Sequence, residues 1–175
     1  VSDYADAENP IVLKSEFVLS LCEQLVGAGK LTAKEKSLID RCTALVYRPY
    51  VMNGCKGTPP TLKDFHRELL MQPEPEEGIA LAIELFTEGS LDTFAKQTNV
   101  NTESSLICYD IRDLGKALKT VGMLVVMDSI YNRIVSNKKK GRPTFVFIDE
   151  IYLLFANEYS SNFLFEQWKR ARKHN

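Results

Sequence analysis

The stretch that decides how this chain is read runs Thr144-Phe145-Val146-Phe147-Ile148-Asp149-Glu150. Four consecutive apolar residues, all aromatic or β-branched, follow a threonine and end on two acids. A short continuous apolar run is the pattern of a strand buried on both faces of a parallel sheet. Upstream lies a basic turn, Lys138-Lys-Lys-Gly-Arg-Pro143. Before it, Leu114, Leu118, Val121, Val125, Ile130 and Ile134 mark one long helix over residues 114–136. Before that, Ser105-Leu-Ile-Cys-Tyr-Asp110 is a second short run rich in strand formers. The order strand, helix, strand predicts a βαβ unit with a right-handed crossover. An amphipathic helix over residues 161–172 follows, with Leu164, Trp168 and Ala171 on one side.

The first hundred residues have a different period. Asn9-Pro10 predicts a helix cap followed by proline at the first helical position. Val12, Phe17, Leu21, Leu25 and Val26 recur behind it with helical spacing, and Gly27 to Gly29 stops that helix. Thr32-Ala-Lys-Glu35 is a capping box, and Leu38, Ile39, Cys42, Leu45 and Val46 form the stripe that follows. Pro49 is expected to end this second helix. Residues 53–60 read as a loop, and Thr61 caps a third helix with Leu62, Phe65, Leu69 and Leu70 on one face. Pro73-Glu-Pro-Glu-Glu77 puts acids in a first turn, where the helix dipole favours them. Ile79 to Phe86 continues as a strongly apolar helix. This part is expected to be a small helical bundle.

Composition narrows the class. The 175 residues are 45% hydrophobic and 26% charged, with a net charge of −1, which argues against a wholly disordered chain. No uncharged apolar run reaches the ~18 residues of a membrane helix. The start is acidic, has no apolar leader and no initiating Met, so the chain reads as a piece of a longer one. The charge is unevenly spread: residues 1–100 are acidic and residues 101–175 basic, with clusters at Lys138 to Arg142 and at Lys169, Arg170, Arg172 and Lys173. Each cluster reads either as a solvated face or as a phosphate contact, to nucleotide or DNA. The cysteines Cys22, Cys42, Cys55 and Cys108 contain no Cys-x-x-Cys pair, and the two histidines, His66 and His174, are far apart. A structural zinc site is therefore not expected. Cys22, Cys42 and Cys108 have apolar neighbours and are expected to be buried thiols in a reducing, cytoplasmic compartment.

Two motifs concern phosphates. Gly27-Ala-Gly29-Lys30 has the ending of a phosphate-binding loop, but Gln24 stands where the first glycine belongs and Leu31 where Ser or Thr belongs. It reads as a helix cap instead. An apolar strand running into Asp149-Glu150 is the Walker B pattern of P-loop ATPases. A buried strand holds its last carboxylate rigidly at the sheet edge where ligands bind. Asp149 would then hold Mg²⁺ through a water, and Glu150 would orient and deprotonate the attacking water. The motif alone leaves a second reading open, in which both acids cap the following helix.

The surrounding residues carry a resemblance. Phe145-Val-Phe-Ile-Asp-Glu-Ile-Tyr-Leu-Leu-Phe155, Tyr159-Ser160, and Phe163-Leu-Phe-x-x-Trp168-Lys-Arg-Ala-Arg-Lys173 resemble the VirB-type conjugation ATPases. These are the cytoplasmic motors of type IV secretion and conjugative DNA transfer. Asn9-Pro-Ile-x-Leu-Lys-Ser-Glu-Phe17 and Thr98-Asn-Val-Asn101 are similar to the version in Gram-positive conjugative elements. The resemblance implies a helix-rich α/β chain: residues 1–100 a helical insertion, and residues 101–175 a β-α-β-α part of a RecA-like core with a short parallel sheet. It implies ATP and Mg²⁺ as cofactors of the parent protein, and Asp149 and Glu150 as its metal-side and catalytic acids. Arg170 and Arg172 look like its arginine motif, which contacts the γ-phosphate across a subunit boundary in a homo-hexamer; a basic helix end is the plainer reading. Implied partners are type IV secretion channel components and DNA, at the inner face of the cell membrane. Two departures stand out. The family's phosphate loop is absent from this sequence, and the chain stops at Asn175 where the family continues with Gly and a strand bearing a sensor Gln. ATP hydrolysis is expected of the parent and not of this chain alone. The competing expectation is a helical interaction module that docks channel proteins or single-stranded DNA without catalysis.

Overall fold

The computed structural model describes residues 9–27, 29–73, 77–99, 104–149, 152–155, 161–162, 164–165 and 168–169. The chain divides into two compact units, Val1–Ser104 and Ser105–Asn175.

Local capping chemistry sets the helices of the first unit. Helix α1 (Pro10–Val26) starts where the Asn9 side chain accepts the Ile11 N–H at 3.0 Å, with Pro10 in the first turn. It ends at Gly27, whose φ of +115° a side chain would resist and whose N–H reaches the Glu23 carbonyl at 3.0 Å. Helix α2 (Ala33–Met52) opens on the expected box: the Glu35 carboxylate accepts the Thr32 N–H at 2.6 Å, and the Thr32 hydroxyl accepts the Glu35 N–H at 3.3 Å. It does not stop at Pro49. A proline removes one donor but keeps its carbonyl, and the Pro49 carbonyl accepts the Asn53 N–H at 3.1 Å in the closing turn. Helix α3 (Leu62–Leu70) has a second reciprocal box, in which Asp64 accepts the Thr61 N–H at 2.8 Å. Helix α4 (Glu77–Thr87) and a 3₁₀ turn at Asp92–Ala95 complete the unit.

Helix α1 packs on α2 and α4, α2 on α3, and α3 on α4, which closes a four-helix arrangement. All four helices feed its core, through Val18, Cys22, Leu38, Ile39, Cys42, Phe65, Leu69, Ile79, Ala80 and Ile83. Burial of each large side chain is worth about 1.5–3 kcal/mol against exposure. The buried faces differ in detail from the expected stripes. In α1 it is Ser15, Val18, Leu21, Cys22 and Glu23 that are buried, while Val12 is exposed. Leu45, Leu70, Leu81 and Leu85 are exposed as well.

In the second unit, helix α5 (Lys116–Lys139) lies over the expected range, with Leu118, Val121, Leu124, Met127 and Tyr131 buried along one stripe. The basic turn caps it: Gly141 has a φ of +65° and its N–H reaches the Lys138 carbonyl at 2.8 Å, while the Arg142 N–H reaches Asn137 at 2.8 Å. Helix α6 (Tyr152–Phe155) is a single turn. Residues 161, 162, 164, 165, 168 and 169 are helical, within the helix expected there.

The α/β expectation is corrected. Among the described residues there is no strand and no sheet, so neither the βαβ unit nor a RecA-like parallel sheet is formed. Residues 105–110 are irregular, with Leu106 85% exposed. Residues 142–148 run without helix, turn or bend, and Phe145 and Phe147 are 80% and 93% exposed. Both segments have the composition of strands. Strand propensity reflects how well a side chain fits a pleated, paired surface, and without a neighbouring strand it yields no ladder. Cys108 is corrected too: it is exposed, as is Cys55, while Cys22 and Cys42 are buried. Burial pushes the Cys42 thiol up to about 11, with Glu68 adding to it, and raises Cys22 well beyond its ordinary value.

The α3 cap makes stability depend on pH. The Thr61 N–H, then its hydroxyl and Arg67, hold the Asp64 carboxyl below its ordinary value against a partial burial that raises it. A depressed carboxyl adds stability above its unfolded value near ~4, lost as pH falls through the folded value. Thr61→Ala is expected to cost about 1 kcal/mol at neutral pH, and to flatten the stability loss below about pH 4. Urea midpoints across this range for both proteins test it; an unchanged acid limb would show that the Thr61 hydroxyl does not hold Asp64, the backbone N–H being kept in the variant.

Candidate functional site

Of the four expected site residues, Asp149 is described and Glu150, Arg170 and Arg172 lie outside the described residues. Asp149 is exposed at the end of the 144–148 run, three residues before α6. Two contacts tie the start of that run to the end of α5: Asn137 donates to the Thr144 hydroxyl at 2.9 Å, and the Arg142 N–H bonds the Asn137 carbonyl. A solvent-facing carboxylate suits a Mg²⁺ that keeps its water shell. No group of three or more His, Cys, Asp or Glu side chains able to hold a metal occurs among the described residues.

Nucleotide phosphates need a cradle of unspent backbone N–H groups. The glycine turn between α1 and α2 does not offer one. The Gly27 N–H bonds the Glu23 carbonyl, the Lys30 N–H bonds the Gly27 carbonyl at 3.1 Å, and the Gly29 N–H bonds the Glu23 carboxylate at 3.1 Å. The turn already has its anion, from the protein itself. The described N–H groups of this turn, those of Gly27, Gly29 and Lys30, are therefore spent and leave no cradle for a phosphate there, in keeping with the cap reading of Gly27 to Lys30.

Glu23 is the residue that sequence reasoning missed. It is wholly buried, yet its carboxylate takes the Gly29 N–H on one oxygen and lies 2.8 Å from the Lys36 ammonium on the other. Its signal was positional: it lies one residue after Cys22 and five after Val18, inside a stretch of core-facing positions. A second buried polar group joins α3 to α4. His66 Nε2 lies 3.1 Å from the Ala80 carbonyl, which can only accept, so Nε2 carries the proton. In the neutral ring His66 Nδ1 accepts from the Thr87 hydroxyl at 3.3 Å.

The basic end of the chain differs from expectation. Trp168, whose spacing sets it on one side of the expected helix with the buried Leu164, is 60% exposed, and Phe165 is exposed as well. The Lys169 ammonium sits 4.6 Å from the centre of the Phe165 ring, a cation–π contact. In the 105–115 segment, Arg112 forks both oxygens of Asp110 and lowers that carboxyl to about 2. The Tyr109 hydroxyl meets Ser129 of α5 at 2.7 Å. No helix among the described residues is long and apolar enough to cross a membrane.

Comparison with protein-family models, with curated proteins and with solved structures finds no match for this chain.

The Glu23 network makes a stability prediction. Lys36→Met leaves a buried carboxylate without its facing cation and is expected to cost about 2 kcal/mol, less than a fully buried pair would because Lys36 is partly exposed. Glu23→Gln should cost less, since the amide oxygen still accepts the Gly29 N–H. Urea unfolding of both variants checks the order; equal losses would mean that charge plays no part.

Proposed function

We propose that this chain is part of a cytoplasmic motor ATPase that powers conjugative transfer or type IV secretion. The observation that carries the reading is the uncharged Phe145-Val-Phe-Ile148 run closing on an exposed Asp149, with Glu150 next in sequence, inside the blocks that resemble the VirB-type motors. Asp149 holds the hydration shell of a magnesium ion, and Glu150 accepts a proton from the attacking water. Arg170 and Arg172 supply positive charge toward a neighbouring subunit of a hexamer. The helical unit gives the motor a surface for channel components at the inner face of the membrane. Mg²⁺ and ATP belong to the parent protein, because no phosphate loop is present in this sequence.

The 175-residue chain is therefore expected to show no magnesium-dependent ATP turnover. In the longer parent, Glu150→Gln is expected to keep ATP binding and lose on the order of 10²–10⁴-fold in turnover. Asp149→Asn is expected to weaken magnesium-dependent nucleotide binding as well. Nucleotide titrations and steady-state rates on both variants decide it; turnover by Glu150→Gln at the parental rate overturns the reading.

One observation favours the second reading, a module that docks single-stranded DNA. Trp168 and Phe165 are both exposed beside Lys169. Exposed aromatics interleaved with cations are the stacking platform of single-strand binders, worth about 1–3 kcal/mol per stacked base. Trp168 is the sole tryptophan, so its fluorescence reports directly. Oligodeoxythymidine is expected to quench it at low salt, and Lys169→Glu is expected to weaken that binding; an unquenched signal removes this reading.

A further inference from the structure

The end of α5 and the run after it form two chemically distinct blocks. In the first, Lys138, Lys139, Lys140 and Arg142 are exposed. Among the described residues no ion pair engages any of them. The helix dipole favours cations in a last turn, where Lys138 and Lys139 lie, but Arg142 stands beyond the cap. The second block, Phe145-Val-Phe-Ile148, is uncharged. Exposure there peaks at Phe145 and Phe147 and falls at Thr144, Val146 and Ile148. That is the period of an extended chain, which sets both rings on one face about 7 Å apart.

The order of the blocks selects the partner. A single-stranded nucleic acid presents a phosphate with every base, so its platforms set cations among the aromatics, as at Phe165 and Lys169. Here the charges are segregated from the rings. The sequence holds no Lys or Arg from Pro143 to Trp168, and the rings are followed by acids, Asp149 and then Glu150. A lipid surface is layered, with anionic headgroups outside and the acyl boundary beneath. A basic block followed by an apolar one matches those layers. We propose that residues 138–147 dock this chain on an anionic lipid surface. Lys138, Lys139, Lys140 and Arg142 meet the headgroups, and Phe145 and Phe147 insert at the acyl boundary.

The backbone limits the depth. Among the described residues no hydrogen bond engages the backbone of residues 145–148, and an unpaired backbone is excluded from hydrocarbon. Only the two rings enter, while the chain stays among hydrated headgroups that satisfy its N–H and C=O groups. A phenylalanine ring has no polar atom, so its insertion strands none. Both blocks are needed. Each cation near an anionic surface adds about fivefold in affinity, and the rings add the apolar share that salt does not screen. The docking is peripheral, in keeping with the absence of a membrane-crossing helix among the described residues. It needs neither nucleotide nor channel protein, so it stands or falls separately from the motor reading.

Co-sedimentation of the 175-residue chain with vesicles tests it. Binding is expected to vesicles of equal parts phosphatidylglycerol and phosphatidylcholine, and not to phosphatidylcholine alone. Lys139→Gln with Lys140→Gln is expected to weaken that binding roughly 25-fold, about fivefold for each charge removed. Phe145→Ser with Phe147→Ser is expected to release the chain from the same vesicles while circular dichroism shows the helices intact. Phe147→Trp combined with Trp168→Phe places the sole tryptophan at position 147. On the anionic vesicles its emission is expected to shift to the blue and to be quenched by lipids brominated on the upper acyl chain. No binding to anionic vesicles, equal binding to neutral ones, binding that survives both serines, or an unshifted tryptophan would each overturn the inference. So would oligodeoxythymidine binding that the two serines abolish, which would make the rings a base-stacking platform instead.

Discussion

A buried carboxylate organises the helical unit. Glu23 sits at zero exposure near the end of α1, where an unpaired charge would be severely penalised. Its placement is possible because the turn that follows delivers the Gly29 N–H to one oxygen, and α2 delivers Lys36 beside the other. The dependence runs both ways. The turn reaches the carboxylate because Gly27 and Gly29 take positive φ values of +115° and +72°. The Lys36 ammonium arrives because the Thr32–Glu35 box starts α2 one residue after the turn is complete. The angle between the first two helices is thus tied to one acid, and the core formed by Val18, Cys22, Leu38, Ile39 and Cys42 lies between them.

The same residues explain why a phosphate-like signature is a structural device here. A glycine-rich turn after a helix presents backbone donors to an anion whichever way it is used. In a nucleotide site those donors wait for a ligand. In this chain they are spent on Glu23 and on the turn itself, so the glycines serve packing between α1 and α2. The distinction lies in whether a nearby side chain fills the anion's place, and that depends on a residue four to six positions upstream rather than on the glycines.

What was legible in the sequence was what is decided locally. Asn9, Thr32 and Thr61 each choose a helix start through a side chain that bonds a backbone two or three residues away, and all three caps form. The spacing of Phe65 and Leu69, or of Leu38, Ile39 and Cys42, fixes which face is buried. Pro49 misled because a proline near a helix end costs one donor but keeps its carbonyl, and the closing turn uses that carbonyl. Trp168 misled because helical spacing gives a face without saying whether that face is covered. The runs at 105–110 and 144–148 misled for a deeper reason. A helix satisfies its own backbone, whereas a strand is defined by another strand, and no residue within either run specifies one. Of the candidate site, Asp149 alone falls among the described residues, and its exposure was the part that propensity could not read.

The position of Asp149 links the two units' contrast to function. The helical unit closes its own core, and its buried polar groups Glu23, His66 and Thr87 have partners within it. The 144–148 run does the opposite: it turns two phenylalanines to water and leaves its backbone unengaged among the described residues. An acid that polarises a water must be held to within about 0.5 Å, which takes a backbone locked by its neighbours. The start of the run, five residues before Asp149, is tied to the end of α5 through Asn137 and Thr144. The exposed phenylalanines of this run, unlike the apolar side chains of the helical unit, are covered by nothing among the described residues, so the run is apolar surface that burial would stabilise.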